Sequence, residues 1–345
     1  MSGPVRFGVI GAGAFASRRH IPDIVRNEEA TLTALCRRDT ETLARLAGHF
    51  QPERTYTDWR RMLEECPLDA VVIATPNNLH YEQATAALEK GLHVLLEKPM
   101  TTRASDAEQL QELAERKGLH LAVALNPPYW AHCHAIRRAI QHGHIGEIES
   151  VSLFWTGNSD VVFGTAPMPD DLPGPVLPTL FRSDPAQCGG GAFMDGGAHL
   201  VSELLWVTGL GVKRVACVMD DVPTDRRTAL SLILSNGAVA TISSVSDSSA
   251  AGRRVHNTFA GSKGLITVEG FEFQTTVRPD GGEVETFAEA DLPPVPGPVA
   301  NLIGAIGQRG CLASDAAHGA YVQAVLDSAY LAAASSNCGN GTVIK

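Results

Sequence analysis

The feature that most constrains the fold of this chain is a short apolar segment that leads directly into a glycine-rich turn. Residues 5–10 (VRFGVI) are too few for an amphipathic helix and are typical of a buried strand. Residues 11–16 (GAGAFA) follow the pattern G-x-G-x-x-A. In this pattern the first glycine permits a tight turn, the second lets the backbone approach a pyrophosphate, and the small last residue lets the next helix pack on the strand. A glycine turn without a ligand is the alternative interpretation.

Strands and helices alternate through the first third of the chain. Apolar stretches at residues 31–36, 69–75, 92–97 and 119–125 predict further strands, and helical sequence such as residues 80–90 separates them. Strands that alternate with helices form parallel sheets. The sequence therefore predicts a doubly wound, dinucleotide-binding Rossmann domain over residues 1–125, with a ligand-free doubly wound fold as the alternative.

The end of the second predicted strand indicates which dinucleotide is preferred. NAD-binding domains of this kind usually have an acidic residue there for the adenosine ribose, whereas Cys36 is followed here by Arg37 and Arg38. A guanidinium can bind the 2′-phosphate of NADP with two hydrogen bonds, and Asp39 lies further along the chain. NADP is predicted and NAD stays possible, while two solvated arginines are the alternative.

Several motifs together resemble one enzyme family. These are EKP at residues 97–99, TPNNLH at 75–80, IGEI at 145–148 and GGGAFMDGGAH at 189–199. In this combination and order they resemble the glucose–fructose oxidoreductase/inositol dehydrogenase (Gfo/Idh/MocA) family. The resemblance covers most of the chain, which makes it far more specific than any single motif.

The resemblance implies an α/β protein in two domains. The Rossmann domain at residues 1–125 would be followed at 126–345 by an α/β domain with an open, mixed, largely antiparallel sheet. Lys98 matches the family's catalytic lysine, Asp195 its substrate-binding aspartate and His199 its proton-transferring histidine. The expected cofactor-binding residues are Gly11, Gly13, Ala14, Phe15, Ala16, Arg37, Arg38, Thr75, Pro76, Asn77, His80, Glu97, Lys98 and Asn126.

The chemistry of these side chains agrees with that implication. Hydride transfer at a carbinol carbon needs a group that moves the hydroxyl proton, and the imidazole of His199 can do so near neutral pH. The ammonium of Lys98 can stabilise charge that develops on the reacting oxygen. On a helix, Asp195 and His199 are four residues apart and share a face. A structural ion pair is the alternative for each of these groups.

Two segments depart from the family pattern, and a third has no regular secondary-structure pattern. A second acidic residue is often found three positions after the histidine, where this chain has Ser202 followed by Glu203. An arginine and an aromatic residue commonly follow the asparagine of the fifth strand, where this chain has Pro127 and Pro128 after Asn126. Residues 155–190 are irregular and predict a wall of the substrate cleft. The candidate contacts in that wall are Trp155, Asn158, Asp160 and Arg182.

The second half of the chain predicts an antiparallel sheet and closing helices. Asn236-Gly237 between two apolar stretches is a strong hairpin signal. Residues 255–260, 265–268 and 273–277 are further predicted strands, and 299–308 and 315–335 are predicted helices. One face of such a sheet needs a cover, so we expect a homodimer or homotetramer through it.

Charge and cysteine content exclude several classes of partner. The net charge of −10 disfavours nucleic acid and anionic membranes, and no apolar stretch reaches the roughly 18 residues that a membrane span requires. Seven scattered cysteines without a CxxC pair are typical of reduced thiols in the cytoplasm. No metal site is predicted, because histidines two apart on a helix, such as His132 and His134, point about 200° apart.

The sequence thus predicts an NADP(H)-preferring oxidoreductase that interconverts a hydroxyl and a ketone on a sugar, cyclitol or related polyol. Two alternatives come from the same family resemblance. One is a redox-neutral enzyme that cleaves glycosides with tightly bound NAD, and the other is a regulator that senses the dinucleotide without turnover.

Overall fold

The computed structural model describes residues 3–169, 175–250 and 252–338, with the side chains of 336–338 left out. The chain forms two compact units, each assembled from three separate stretches. Unit 1 comprises residues 1–125, 162–189 and 296–320. Unit 2 comprises residues 126–161, 190–295 and 321–345. The division into domains at 1–125 and 126–345 stays a prediction.

Fourteen strands are present in the described residues. They are β1 Val5–Ile10, β2 Ala30–Cys36, β3 Arg54–Tyr56, β4 Ala70–Ile73, β5 His93–Leu96, β6 Leu121–Val123, β7 Ile148–Thr156, β8 Val212–Met219, β9 Arg227–Leu234, β10 Val239–Val245, β11 Arg254–Gly261, β12 Gly264–Glu269, β13 Gln274–Pro279 and β14 Glu285–Phe287.

Twelve α-helices connect these strands within the same described ranges. They are α1 Ala14–Arg18, α2 His20–Val25, α3 Thr40–Phe50, α4 Trp59–Glu65, α5 His80–Glu89, α6 Ala104–Lys117, α7 Ala131–Gln141, α8 Asp160–Phe163, α9 Pro185–Cys188, α10 Ala198–Thr208, α11 Pro298–Ile306 and α12 Ala316–Cys338. No helix in the described part of the chain has both the length and the apolar character that crossing a membrane requires.

Unit 1 contains a six-stranded parallel sheet in the order β3-β2-β1-β4-β5-β6. The predicted Rossmann sheet is therefore confirmed, and its five predicted strands are β1, β2, β4, β5 and β6. The sixth strand, β3, has only three residues, none of them buried, at the edge of the sheet. It carries no apolar pattern by which the sequence could have revealed it.

The core of unit 1 forms because these strands are apolar on both faces. Phe7, Leu35 and Val72 are completely buried in one cluster between the sheet and its helices. Val299 and Leu302 of α11 join this cluster, although they lie far along the chain. Unit 1 thus depends on a helix that follows the second sheet in sequence.

Unit 2 contains an eight-stranded sheet in the order β14-β13-β12-β11-β7-β10-β9-β8. Only β7 and β10 pair in parallel, so the predicted mixed, largely antiparallel sheet is confirmed. The predicted hairpin at Asn236-Gly237 joins β9 to β10. The sequence analysis missed β7, β8 and β14. Assembly of two or four copies through this sheet stays a prediction.

We predict opposite effects on stability for one substitution at two exposed glycines. Gly237 has φ +95°, so Gly237→Ala should lower the free energy of unfolding by about 1–2 kcal/mol. Gly48 lies within α3 with open space around it, so Gly48→Ala should raise that free energy by about 0.5–1 kcal/mol. Urea denaturation followed by circular dichroism measures both changes. Equal shifts for the two variants would contradict the hairpin geometry.

Candidate functional site

The glycine turn of unit 1 has the geometry that a pyrophosphate-binding loop needs. Gly11 has φ +82°, and a Cβ there would lie 2.7 Å from the carbonyl oxygen of Ala74. Only glycine fits this position. Ala16 is completely buried, which lets α1 pack closely on the sheet, while Phe15 is 40% exposed. The turn therefore lies close against the end of β4, at the carboxyl end of β1.

The residues after β2 have different environments. The guanidinium of Arg37 is half-buried, and its Nη1 donates to the carbonyl oxygen of Ala12 at 3.1 Å. Arg37 thus fixes the glycine turn to the end of β2, and its burial lowers its pKa. Arg38 is exposed. Asp39 caps α3 by accepting from the backbone N–H of Thr42 at 2.8 Å.

Buried polar side chains hold the segment after β4 in place. His80 is completely buried, and its ring nitrogens each lie 3.0 Å from a carbonyl oxygen, that of Pro99 and that of Thr75. Burial lowers the pKa of His80, and the ring lies between these two loops. Asn77 is buried and donates to the carbonyl oxygen of Cys188 at 2.8 Å. Thr75 and Pro76 remain partly exposed.

The Glu-Lys-Pro segment follows the end of β5. Glu97 is buried, and its Oε1 lies 2.6 Å from Nε2 of His20 on α2. Its other oxygen accepts from the backbone N–H of Lys98 at 3.2 Å. Burial alone would raise the pKa of Glu97, but the bond to His20 and the charge of Lys98 hold that pKa below its ordinary value. The Lys98-Pro99 peptide bond is cis. Sequence reasoning missed His20.

In unit 2, Asp195 and His199 lie on consecutive but different helical segments. Residues Phe193–Gly197 form a π-helical turn, and α10 begins only at Ala198. The prediction that one α-helix carries both side chains was therefore wrong for Asp195, because the π turn adds a residue to the hydrogen-bonded loop. The π turn leads directly into α10, so the two residues lie on adjoining helical turns.

A partly buried phenol and a buried carboxylate hold this π turn in place. The hydroxyl of Tyr330 on α12 accepts from the backbone N–H groups of Gly191 and Met194, each at 3.0 Å. The same hydroxyl donates to Oδ1 of Asp225 at 2.5 Å, and Oδ2 of Asp225 accepts from the N–H of Phe193 at 2.8 Å. Burial raises the pKa of Asp225 above its ordinary value. Nothing local in the sequence points to either residue.

The third glycine of the GGG segment is required by this arrangement. A Cβ on Gly191 would lie 2.5 Å from the backbone nitrogen of Asp225. The backbone of the turn can therefore approach Asp225 only because residue 191 has no side chain.

His199 is oriented by the segment that begins unit 2. The backbone N–H of Asn126 faces Nδ1 of His199 at 3.4 Å, which is long for a hydrogen bond. This contact keeps Nδ1 of the ring on the side of the Asn126 backbone. The rings of His199 and Trp130 have centroids 6.5 Å apart. The proline-rich turn Pro127–Tyr129 packs against α10, so the departure from the family pattern forms part of this support.

The predicted substrate wall is divided between the two units. Trp155 and Asn158 belong to unit 2, where Asn158 donates to Asp160 at 2.8 Å. Asp160 also pairs with Arg226 at 2.6 Å. Arg182 belongs to unit 1, where its guanidinium stacks over the ring of Phe181 at 4.6 Å from the centroid. Their roles in substrate binding stay predictions, and residues 170–174 of this segment lie outside the described residues.

One buried cluster in unit 2 could hold a metal ion. His132, Cys133 and Glu203 each offer one ligand atom, and these atoms lie within 4.8 Å of one another. His134 is directed elsewhere, with its Nε2 2.9 Å from the carbonyl oxygen of Pro128. The argument from helix spacing considered only histidines on one helix, so it did not find a cluster that Glu203 of α10 completes.

We predict that Tyr330→Phe lowers the free energy of unfolding by about 2–3 kcal/mol, because each buried polar group left without a partner costs about 1–3 kcal/mol. Tyr321→Phe is the matched control. The hydroxyl of Tyr321 accepts only one described backbone bond, from Val212, and its side chain is 39% exposed. We expect a loss below about 1 kcal/mol for the control. Equal losses in urea denaturation would contradict a special role for Tyr330.

Family models match both parts of the chain. Residues 5–125 match a model described as oxidoreductase family, NAD-binding Rossmann fold, and residues 133–267 match the GFO/IDH/MocA C-terminal domain. The matched ranges include the glycine turn, Lys98, Asp195 and His199.

Curated relatives match parts of the chain. The dTDP-3,4-didehydro-2,6-dideoxy-alpha-D-glucose 3-reductase of Saccharopolyspora spinosa is 35% identical over 199 residues, which cover 58% of this chain and 54% of the relative. The D-glucoside 3-dehydrogenase of Escherichia coli strain K12 is 27% identical over 208 residues, which cover 60% and 55%. The chain thus spans about half the length of these curated relatives.

A solved structure matches the fold over nearly the whole chain. The WlbA dehydrogenase from Bordetella pertussis, solved in complex with NADH and UDP-GlcNAcA, superposes with a TM-score of 0.80. The match covers 96% of this chain and 97% of that chain at 24% identity, which shows a common fold. Together with the two family models, which follow one another over most of the sequence, these findings show that the chain belongs to the Gfo/Idh/MocA oxidoreductase family.

Proposed function

We propose that this protein is an oxidoreductase that moves a hydride between the nicotinamide of NADP(H) and a hydroxyl or ketone carbon of a sugar, cyclitol or related polyol. The observation that carries the proposal is the placement of Lys98 directly after the carboxyl end of β5, beside a buried Glu97 that His20 holds. Doubly wound sheets bind ligands at the carboxyl ends of their strands. The activities by which the two relatives are named, both on sugars, support the substrate class.

The residues around the glycine turn fit a dinucleotide. A bound nicotinamide would supply or accept the hydride at its C4 atom. The backbone at residues 11–16 would hold the pyrophosphate, because Gly11 closes the turn and Gly13 presents no side chain. Thr75 and Pro76 are partly exposed and would contact the cofactor directly, together with Asn126. The buried Asn77 and His80 would instead keep the loop in position.

Three side chains would carry out the chemistry on the substrate. The ammonium of Lys98 would stabilise negative charge that develops on the reacting oxygen. His199 would exchange a proton with that oxygen through Nε2, since Nδ1 faces the backbone of Asn126. Asp195 would accept a hydrogen bond from a neighbouring substrate hydroxyl.

We predict that Lys98→Met and His199→Asn each lower kcat by about 10²–10⁴-fold, because each removes a group that acts on the reacting oxygen. Turnover is measured with NADP⁺ and a panel of pyranosides and cyclitols. The matched controls are Lys90→Met and His142→Asn, at exposed positions outside the site. Dinucleotide binding should persist in His199→Asn and in both controls. Full turnover by Lys98→Met would refute the assigned role.

The preference for NADP over NAD is supported by the residues after β2. The nearest carboxylate, Asp39, is committed to capping α3. Arg37 is bound to the glycine turn, which leaves the exposed Arg38 as the guanidinium that would reach a 2′-phosphate.

We expect Arg38→Ala to weaken NADPH binding by about 10- to 100-fold, the value of one or two charge-assisted hydrogen bonds, and to leave NADH binding nearly unchanged. Arg116→Ala, at an exposed position of α6, is the matched control. Fluorescence titration of dinucleotide-free protein gives both dissociation constants. Tighter binding of NADH by the unaltered protein would overturn the NADP assignment. Release of stoichiometric, non-exchanging NAD on denaturation would instead favour the redox-neutral alternative.

A further inference from the structure

Three adjacent side chains of unit 2 present the donor atoms of a metal site that the proposed hydride transfer does not use. His132 and Cys133 lie on α7, and Glu203 lies on α10, four residues after His199. Their exposed fractions are 0%, 0% and 3%. A nitrogen, a sulfur and an oxygen atom thus lie together in a region that water does not reach.

The separation of the nitrogen and sulfur donors fits coordination of a single ion. Nε2 of His132 lies 3.4 Å from Sγ of Cys133. Zinc bonds of about 2.0–2.1 Å to nitrogen and about 2.3 Å to sulfur, at a tetrahedral angle, place those two atoms about 3.5 Å apart. The ligand atom of Glu203 lies within 4.8 Å of both.

The side chains that surround these donors orient them as partners of metal ligands do. Nδ1 of His132 lies 2.5 Å from Oε2 of Glu289, and Asn257 donates to Oε1 of Glu203 at 2.8 Å. Histidines that bind metals generally donate their other ring N–H to a carboxylate, and ligating carboxylates are themselves hydrogen-bonded. Glu289 is fixed in turn by the backbone N–H groups of Ala131 and His132, each at 2.7 Å.

Aromatic rings enclose the histidine. The ring of Phe273 stacks on His132 with centroids 4.3 Å apart and an angle of 10°, and Trp130 stacks with centroids 5.5 Å apart. These contacts fix the plane of the imidazole and exclude water from it. The edge that carries Nε2 is therefore held toward Cys133.

We propose that His132, Cys133 and Glu203 bind one zinc ion per chain, which links α7 to α10. A mixed set of thiolate, imidazole and carboxylate suits Zn²⁺ better than the hard cations Mg²⁺ and Ca²⁺. The charges of the bound thiolate and carboxylate balance that of the ion. Because all three ligands are buried, the ion would be acquired as the chain folds. The alternative is a metal-free chain of hydrogen bonds in which the thiol of Cys133 donates to the imidazole of His132. In that alternative Cys133 and Glu203 are neutral, because burial raises the pKa of both.

The test uses the full chain produced in cobalt-enriched minimal medium, so that Co²⁺ can occupy the site during folding. We expect about one cobalt ion per chain, the number of sites proposed, and a thiolate-to-cobalt charge-transfer band in the near ultraviolet. X-ray absorption at the metal edge should show one sulfur neighbour together with nitrogen or oxygen neighbours. Absence of stoichiometric metal from both cobalt- and zinc-grown protein would overturn the proposal.

Variants identify the ligands. Cys133→Ser should abolish the charge-transfer band and reduce bound metal at least several-fold, whereas Cys217→Ser, at another buried cysteine of unit 2, should change neither. Glu203→Gln should reduce the bound metal while keeping the band of any remaining ion. A band that survives Cys133→Ser would place the metal elsewhere and refute the assignment. If Cys133→Ser does not fold, the absorption spectrum of the unaltered protein decides, because a metal without a sulfur neighbour also refutes it.

Discussion

The hydrogen bond between Tyr330 and Asp225 is the interaction on which the candidate site residues of unit 2 depend for their position. Together these two side chains accept three backbone N–H groups from the GGG segment and the π turn. A buried carboxylate is costly unless hydrogen bonds satisfy it, and here the phenol and the turn do so. The turn is therefore shaped by side chains that come later in the chain, Asp225 from the loop between β8 and β9 and Tyr330 from α12. The turn carries Asp195 and leads directly into α10, which carries His199.

Unit 1 has a comparable arrangement at the end of β5. His20 and Glu97 form a buried pair, and such pairs seldom add much stability because both groups lose their hydration. The pair instead contributes to positioning, since the second oxygen of Glu97 accepts a hydrogen bond from the backbone N–H of Lys98. Stability and positioning are thus separate contributions at this site. The positioning of Lys98 explains why a charged group, Glu97, lies in the interior.

Local patterns predicted most of the two sheets but little of the support for the candidate site. Strands buried on both faces read as apolar stretches, and Asn236-Gly237 specifies a hairpin by its own geometry. The sequence shows that an arginine follows β2, but the direction in which the Arg37 side chain points depends on the carbonyl oxygen of Ala12. That oxygen faces Arg37 only once the glycine turn has folded. His20 meets Glu97 across 77 residues, and Tyr330 meets Asp225 across 105. Such partners follow from topology, which no local pattern encodes.

The interleaving of the two units has a consequence for the order in which the protein is made. The core of unit 1 includes Val299 and Leu302, so the apolar surface of its first 125 residues is fully covered only after the whole second sheet has been synthesised. In a nascent chain on the ribosome, part of that apolar surface stays exposed while the intervening residues are synthesised. Contacts so distant in sequence close slowly, and surface left open meanwhile favours association with other chains. The same topology makes an excised fragment of residues 1–125 a poor substitute for the intact unit.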